Sequence, residues 1–152
     1  MNELGFSEFK IDSMIYDMNG KFINPKIALI GKSGCGKSFI IRDIMYHMKD
    51  IPCGTVIAPT CKMNKFYDSF IGKSYIYYEY LDIIIPSIME RQLKILAKNE
   101  NRIKNDKKPI DPRCFLIMDD CMSSKDKWMK DPLVLSIFNE GRHYQITYLL
   151  SM

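Results

Sequence analysis

The residues with the clearest capacity for chemistry lie in one glycine-rich stretch, Gly31-Lys32-Ser33-Gly34-Cys35-Gly36-Lys37-Ser38. Its spacing, G-x-x-x-x-G-K-S/T, is that of a phosphate-binding loop. Glycines let the backbone curl so that successive N–H groups point inward, and the start of a following helix adds partial positive charge. In this pattern Lys37 reaches the β- and γ-phosphates, and the Ser38 hydroxyl binds the Mg²⁺ that bridges them. We therefore predict a nucleotide site over residues 31–39, which includes Phe39.

The segments on either side of this loop are the elements that it needs. Lys26 to Ile30 is a short apolar run suited to a buried strand. From Phe39 to Met48 the apolar residues recur at helical spacing. The buried stripe of that helix is predicted to be Ile40, Ile41, Ile44, Met45 and Met48. Because strand, loop and helix follow in the required order, we favour a phosphate site over a glycine-rich turn that only joins two elements.

A pair of acids supplies the second chemical feature. Cys114 to Met118 is a continuous apolar run, typical of a buried strand, and Asp119 and Asp120 follow it directly, which is a Walker B pattern. Ligands of open α/β sheets lie beyond the carboxyl ends of the strands, so an acid here can face Ser38. We predict that Asp119 binds Mg²⁺ together with Ser38. Asp120 is then the general base that orients and deprotonates the attacking water.

Composition limits the class of protein. The 152 residues have 47% hydrophobic content, which suits one compact α/β core, so we predict a single domain over residues 1–152. The net charge of +4 permits a nucleic-acid partner without requiring one. Five cysteines, an odd number without a C-x-x-C pair, argue against a disulfide framework and a zinc site, and favour a reducing compartment. We find no apolar run of membrane-spanning length, and residues 1–10 lack the pattern of a secretory signal.

The other elements are predicted around a core of residues 25–152, with residues 1–24 as an N-terminal extension. Asn19-Gly20 predicts a hairpin between residues 14–18 and 21–23. Residues 55–58 and 145–150 are further buried strands, and the aromatic run 74–80 is an edge strand or an extended connection. Helices are predicted from Pro86 to Lys104 and, after Asp131-Pro132, over 133–139. The buried stripe of the longer helix is predicted to be Met89, Leu93, Leu96 and Ile103.

The polar end of the long helix and the residues after it form a basic run before Pro109. It comprises Lys98, Arg102, Lys104, Lys107 and Lys108. Such a run is either a solvated face or a contact for DNA phosphates. Arg142, just ahead of the last strand, likewise has two interpretations: a helix-end arginine that satisfies carbonyl groups, or a catalytic residue. His143 is interpreted as structural.

These segments together resemble the genome-packaging ATPases of large nucleocytoplasmic DNA viruses of the poxvirus and mimivirus type, within the FtsK/HerA-type branch of P-loop ATPases. The resemblance covers about residues 26–152 and rests on the glycine-rich loop, Asp111-Pro112-Arg113, Phe115 to Cys121, and Gly141-Arg142-His143-Tyr144. It implies a three-layer α/β sandwich with a mainly parallel sheet. It also implies a ring of subunits that hydrolyses ATP with Mg²⁺ and moves double-stranded DNA into a preformed capsid. The implied partners are DNA, other subunits and capsid or portal proteins, in the host cytoplasm, its viral factories or the virion.

The same resemblance assigns roles to residues. Lys37 and Ser38 bind nucleotide and Mg²⁺, and Asp119 and Asp120 are the Walker B acids. Arg142 resembles the arginine finger that a ring subunit offers to its neighbour's γ-phosphate. Two departures stand out: Glu140 replaces the family's usual asparagine before Gly-Arg-His, and the chain ends at Met152, where relatives continue with a polar sensor and at least one further strand. We therefore expect a sheet that is incomplete at its C-terminus, with the strand before the loop at an exposed edge.

Two other classes of nucleotide-binding enzyme, GTPases and small kinases, have motifs that can be compared with this sequence. A GTPase carries Asn-Lys-x-Asp, whereas Asn64-Lys65-Phe66-Tyr67 lacks the aspartate. A small-molecule or nucleoside kinase also pairs a phosphate loop with an acid-tipped strand, and it stays the enzymatic alternative, although no arginine-rich lid is visible. The non-enzymatic alternative is a nucleotide-binding assembly subunit without turnover.

Overall fold

One parallel sheet forms the centre of the structure, a computed structural model that describes residues 9–152. Its strands are β1 (Lys26–Leu29), β2 (Gly54–Ile57), β3 (Ile76–Tyr77), β4 (Cys114–Asp119) and β5 (Ile146–Ser151). They lie in the order β1-β5-β4-β2-β3, and every neighbouring pair is parallel. The predicted α/β class and parallel sheet are confirmed. Residues 1–8 of the predicted extension lie outside the described residues.

Helices cover both faces of this sheet. They are α1 (Asp12–Ile15), α2 (Lys37–His47), α3 (Cys61–Asn64), α4 (Ile84–Lys104), α5 (Lys125–Trp128) and α6 (Pro132–Glu140). Side chains of a strand alternate between the faces, so Leu116 packs in the cluster that contains α4 and α6, and Phe115 packs in the cluster that contains α2. The helices and the sheet therefore form three layers.

The strand order determines what lies at the sheet's carboxyl edge. β5 lies between β1 and β4, and its register brings Ser151 beside both Leu29 and Asp119. Among the described strands β1 is at one edge and β3 at the other, as predicted for both. Because all strands run in the same direction, the loop after β1 and the acids of β4 meet at one edge.

The predicted buried stripes of the two long helices are partly wrong. Ile40 on α2 is 47% exposed, and Leu93 and Ile103 on α4 are 54% and 61% exposed. The buried face of α4 carries two polar residues instead, Gln92 and Asn99. Gln92 donates to the carbonyls of Pro112 and Tyr144 at 2.8 and 2.6 Å, and Asn99 donates to that of Ile110 at 2.7 Å. These hydrogen bonds compensate for burial, which apolar periodicity does not reveal.

The predicted N-terminal hairpin is partly right. Tyr16 and Phe22 form an antiparallel bridge around the Asn19-Gly20 turn, but residues 14 and 15 belong to α1 and not to a strand. The Asp17 carboxylate accepts bonds from the amides of Asn19 and Lys21 at 2.9 and 2.8 Å and so closes the turn.

Within the part of the chain described, no helix combines the length and apolarity that a membrane crossing requires.

Candidate nucleotide-binding site

The glycine-rich loop curls between β1 and α2 in a conformation that depends on its glycines. Gly34 and Gly36 have φ angles of 78° and 95°, in the left-handed region that favours glycine. A Cβ atom on Gly31 would lie 2.7 Å from the Cys35 sulfur. The backbone therefore favours glycine at Gly34 and Gly36, whereas a Cβ atom at Gly31 would require the exposed Cys35 side chain to move.

The start of α2 presents free donors to this loop. Its N-cap is Gly36, which has no side chain to accept a hydrogen bond. Within residues 9–152 the amides of Lys37 and Ser38 donate no hydrogen bond, whereas those of Phe39 and Ile40 bond to the Gly36 carbonyl. Unpaired amides and the helix dipole together make the start of a long helix favourable for an anion such as phosphate.

Lys37 folds back over the loop. Its ammonium group donates to the carbonyl of Gly31 at 2.5 Å and to that of Lys32 at 3.1 Å. These two carbonyl groups therefore hold the positive charge of Lys37 within the loop itself, near the unpaired amides at the start of α2.

The acids lie across the cavity from this loop, on β4. Asp119 is the last residue of the strand, and its Oδ2 atom accepts a hydrogen bond from the Tyr67 hydroxyl at 3.0 Å. Asp120 follows with φ 55° and ψ 39°, a left-handed conformation that aspartate tolerates. The Asp120 side chain is exposed. The two carboxylates therefore have different surroundings: that of Asp119 is half-buried and accepts a hydrogen bond, whereas that of Asp120 accepts none from the side chains or amides of residues 9–152.

A cavity of about 400 Å³ joins the loop and the acids. Of the predicted residues, it is lined by Gly31, Ser33, Gly34, Gly36, Lys37, Ser38, Phe39, Asp119 and Asp120. Lys32 and Cys35 were also predicted as binding residues but do not line it; Lys32 supplies only a carbonyl to Lys37, and Cys35 is exposed. The structure thus brings the phosphate loop and both acids to one place.

Sequence reasoning missed the other walls of this cavity. They are Thr60, Cys61, Asn64, Phe66 and Tyr67 after β2, and Ser151 and Met152 at the end of β5. Two of these are informative. Burial, and then the nearby charge of Asp119, raise the pKa of the Tyr67 phenol, so the hydroxyl stays protonated. The Ser151 hydroxyl is fully buried and has no hydrogen-bond partner among the described residues. The available signal was their position, since all lie at or after the carboxyl ends of strands.

The donors present fit a magnesium–nucleotide complex. Ser38 and Asp119 line the same cavity, and the second oxygen of Asp119, Oδ1, has no partner in the described part of the chain. Residues 9–152 contain no group of three or more His, Cys, Asp or Glu side chains that could hold a metal by themselves. Mg²⁺ typically takes only one or two protein ligands and completes its octahedron with phosphate oxygens and water. The hard oxygen donors of this cavity match that requirement.

Arg142 lies away from this cavity. It is exposed in the turn before β5, at the amino edge of the sheet, whereas the cavity is at the carboxyl edge. The six residues of β5 separate the two by roughly 20 Å. The basic run, which comprises the end of α4 and the residues just after it, leads into β4 at this same amino edge. The structure therefore does not bring Arg142 or the basic run to the nucleotide site of the same chain.

The sheet, the loop and the acid pair define an α/β protein consistent with the P-loop class. Residues 8–152 match the Poxvirus A32 protein family, and the chain belongs to that family. It is 46% identical over 143 residues to uncharacterized protein L437 of Acanthamoeba polyphaga mimivirus, a match that covers 94% of this chain and 50% of the relative.

Other viral relatives are more distant. Uncharacterized protein 075L of Invertebrate iridescent virus 6 is 34% identical over 132 residues, covering 84% of this chain and 46% of the relative. Uncharacterized protein 015R of Frog virus 3 is 32% identical over 127 residues, covering 83% of this chain and 37% of the relative. The chain spans about half or less of the length of these curated relatives. No solved structure matches it.

Proposed function

We propose that this chain binds and hydrolyses Mg²⁺–ATP as the motor subunit of a viral DNA-packaging machine. The poxvirus A32 proteins are a family of viral packaging ATPases, and the matched relatives are viral as well. The observation that carries the proposal is one cavity that holds the glycine-rich loop, Lys37, Ser38 and both acids. The family and the viral relatives support a virus-infected host cell as the context, and the proposed locations are its cytoplasm, its viral factories or the virion.

In the proposed reaction the loop and Lys37 bind the phosphates. The free amides of α2 and the Lys37 ammonium group contact the β- and γ-phosphate oxygens, in place of the carbonyl bonds that Lys37 makes now. Ser38 and Asp119 would hold Mg²⁺, which would supply positive charge to neutralise the phosphates. Asp120, which is exposed in the same cavity, orients the attacking water and accepts its proton.

Arg142 acts in this proposal on the site of a neighbouring subunit. Its exposed position at the amino edge, far from its own cavity, supports a role between subunits and not within one. Head-to-tail contact of the amino edge of one copy with the carboxyl edge of the next generates a ring when the rotation closes. The basic run of α4 is the proposed DNA contact, and capsid or portal proteins are the proposed further partners.

The test is nucleotide binding and ATP hydrolysis by the 152-residue chain, with and without double-stranded DNA. Lys37→Ala is the inactive variant, and Lys26→Ala, exposed at the other end of β1, is the matched control that removes a lysine away from the cavity. We expect DNA-stimulated hydrolysis that Lys37→Ala abolishes and Lys26→Ala retains. Binding without turnover would indicate an assembly subunit, and phosphate transfer to a nucleoside would indicate a kinase. Equal nucleotide affinity of Lys37→Ala and the wild type would refute the site.

A further inference from the structure

We propose that Tyr67 is a positioning residue for Asp119: its hydroxyl fixes one carboxylate oxygen so that the other stays directed toward Mg²⁺ and the nucleotide. The inference rests on the proposed nucleotide site. It starts from the 3.0 Å hydrogen bond between the Tyr67 hydroxyl and Asp119 Oδ2. Both residues line the cavity, and Tyr67 is 1% exposed.

The position of the hydroxyl is determined by the packing of the tyrosine ring. The Phe66 ring lies edge-on to it at 4.9 Å between centroids, and the Phe70 ring is tilted against it at 5.7 Å. The Tyr67 carbonyl accepts backbone bonds from Phe70 and Ile71 at 3.1 and 2.8 Å. The ring therefore cannot turn without disturbing its neighbours, and the donor reaches Asp119 from a fixed direction.

The chemistry of the two groups gives this contact one direction. A phenol hydroxyl carries a proton to donate, whereas an ionised carboxylate can only accept, so Tyr67 is the donor to Asp119 Oδ2. An ionised carboxylate accepts at both oxygens. With Oδ2 engaged by Tyr67, Oδ1 remains for the cation or a water bound to it. Partners that orient a metal ligand in this way typically contribute about 10–100-fold to metal affinity or activity.

The chain offers a matched control in a second buried tyrosine–aspartate pair. The Tyr80 hydroxyl donates to Asp131 Oδ2 at 2.8 Å, and Tyr80 is 3% exposed. Asp131 caps α6 through the Leu133 amide, and neither Tyr80 nor Asp131 lines the nucleotide cavity. Tyr67→Phe and Tyr80→Phe therefore delete the same hydrogen bond in similar surroundings, and only the first deletion touches the proposed magnesium ligand.

The experiment measures the Mg²⁺ requirement of nucleotide binding. A fluorescent ATP analogue is titrated with Mg²⁺ for the wild type, Tyr67→Phe and Tyr80→Phe, and the affinity for the analogue without Mg²⁺ is measured separately. We expect Tyr67→Phe to raise the half-saturating Mg²⁺ concentration about 10-fold, with unchanged metal-free affinity. Tyr80→Phe should have the same half-saturating Mg²⁺ concentration as the wild type. Melting temperatures show whether both variants are folded. We expect that they are, because each keeps its phenyl ring.

The outcomes separate this inference from the proposed function. A half-saturating Mg²⁺ concentration of Tyr67→Phe that equals or falls below that of the wild type overturns the positioning role. If at the same time Lys37→Ala still abolishes binding of the analogue, the nucleotide site stands and only the role of Tyr67 is lost. If the wild type does not bind the analogue at all, the proposed function and this inference are both wrong.

Discussion

The Asp120 amide donates a hydrogen bond to the Ser151 carbonyl at 3.0 Å and so joins the acid pair to the end of β5. On the other side of β5, the Gly31 amide donates to the Met152 carbonyl at 3.0 Å. The end of β5 is thus tied to the first glycine of the loop and to the second acid. Since neighbouring strands are about 4.8 Å apart, β1 and β4 are separated by roughly 10 Å. This width leaves room for phosphates and a cation between the loop and the acids.

Ser151 provides the first prediction. Its hydroxyl is buried without a partner in the described part of the chain, so Ser151→Ala should leave the free energy of unfolding unchanged or raise it by about 1 kcal/mol. Because the hydroxyl is fully buried, a nucleotide reaches it only if the end of β5 shifts on binding. We predict that it does, and that the same change therefore weakens Mg²⁺–ATP binding about 3- to 10-fold. Chemical denaturation and a fluorescent-nucleotide titration measure the two effects.

The matched control is Thr147→Val on the same strand. The Thr147 hydroxyl is also buried and unpartnered among residues 9–152, but it does not line the cavity. We expect this variant to show the stability effect and to bind nucleotide normally. If both variants bind as the wild type does, the Ser151 hydroxyl has no contact with the nucleotide.

Asp120→Asn tests the proposed general base. Asparagine tolerates the left-handed backbone of this position and keeps the amide that bonds to Ser151, so the turn should persist. Because the amide side chain cannot accept the proton of water, we expect turnover to fall by about 10²–10⁴-fold with nucleotide affinity retained. Steady-state hydrolysis and a binding titration check this pair of results. Normal hydrolysis would exclude Asp120 as the base.

The proposed role of Arg142 between subunits predicts the activity of rings assembled from two different variants. Arg142→Ala and Lys37→Ala should each abolish hydrolysis, since an arginine finger supplies about 10³–10⁵-fold in rate. Mixing the two variants should restore part of the activity, because an intact loop of one subunit can then meet the intact Arg142 of another. The control mixes Arg142→Ala with a variant that carries both Lys37→Ala and Arg142→Ala. This mixture should remain inactive because no subunit in it has Arg142. No recovery at any mixing ratio would argue against a shared site.

Alkylation of Cys53 should depend on pH, and this prediction does not involve the nucleotide site. The neighbouring Cys114 thiol on β4 is the main cause that lowers the pKa of Cys53 to about 6. Thiolate is the reactive form, so alkylation of Cys53 by iodoacetamide should rise from pH 5 to pH 7 and then level off. Peptide mass spectrometry distinguishes this site from the exposed Cys35. In Cys114→Ala the midpoint should move up toward the ordinary thiol value of 9.0; an unmoved midpoint would contradict the assigned cause.

Local patterns in the sequence were sufficient for much of the fold. The spacing of the loop's glycines, the apolar runs of the core strands and the acids after β4 are properties of short segments. Backbone geometry makes each of them predictable, because a curled loop needs glycine and a strand buried on both faces needs continuous apolar residues. These patterns predicted the core strands and the loop after β1, whereas the parallel sheet and the edge position of β1 were expected from the resemblance to the packaging ATPases.

Tertiary structure alone decided which side chains complete the site. Tyr67 and Asp119 are 52 positions apart, and no periodicity or spacing links them. Ser151 reaches the cavity only because β5 lies between β1 and β4. Likewise, Gln92 and Asn99 occupy the buried face of α4 because distant carbonyl groups accept their hydrogen bonds. Sequence patterns report hydrophobicity and backbone preference along the chain, whereas these contacts depend on the order of strands and on partners far away in the sequence.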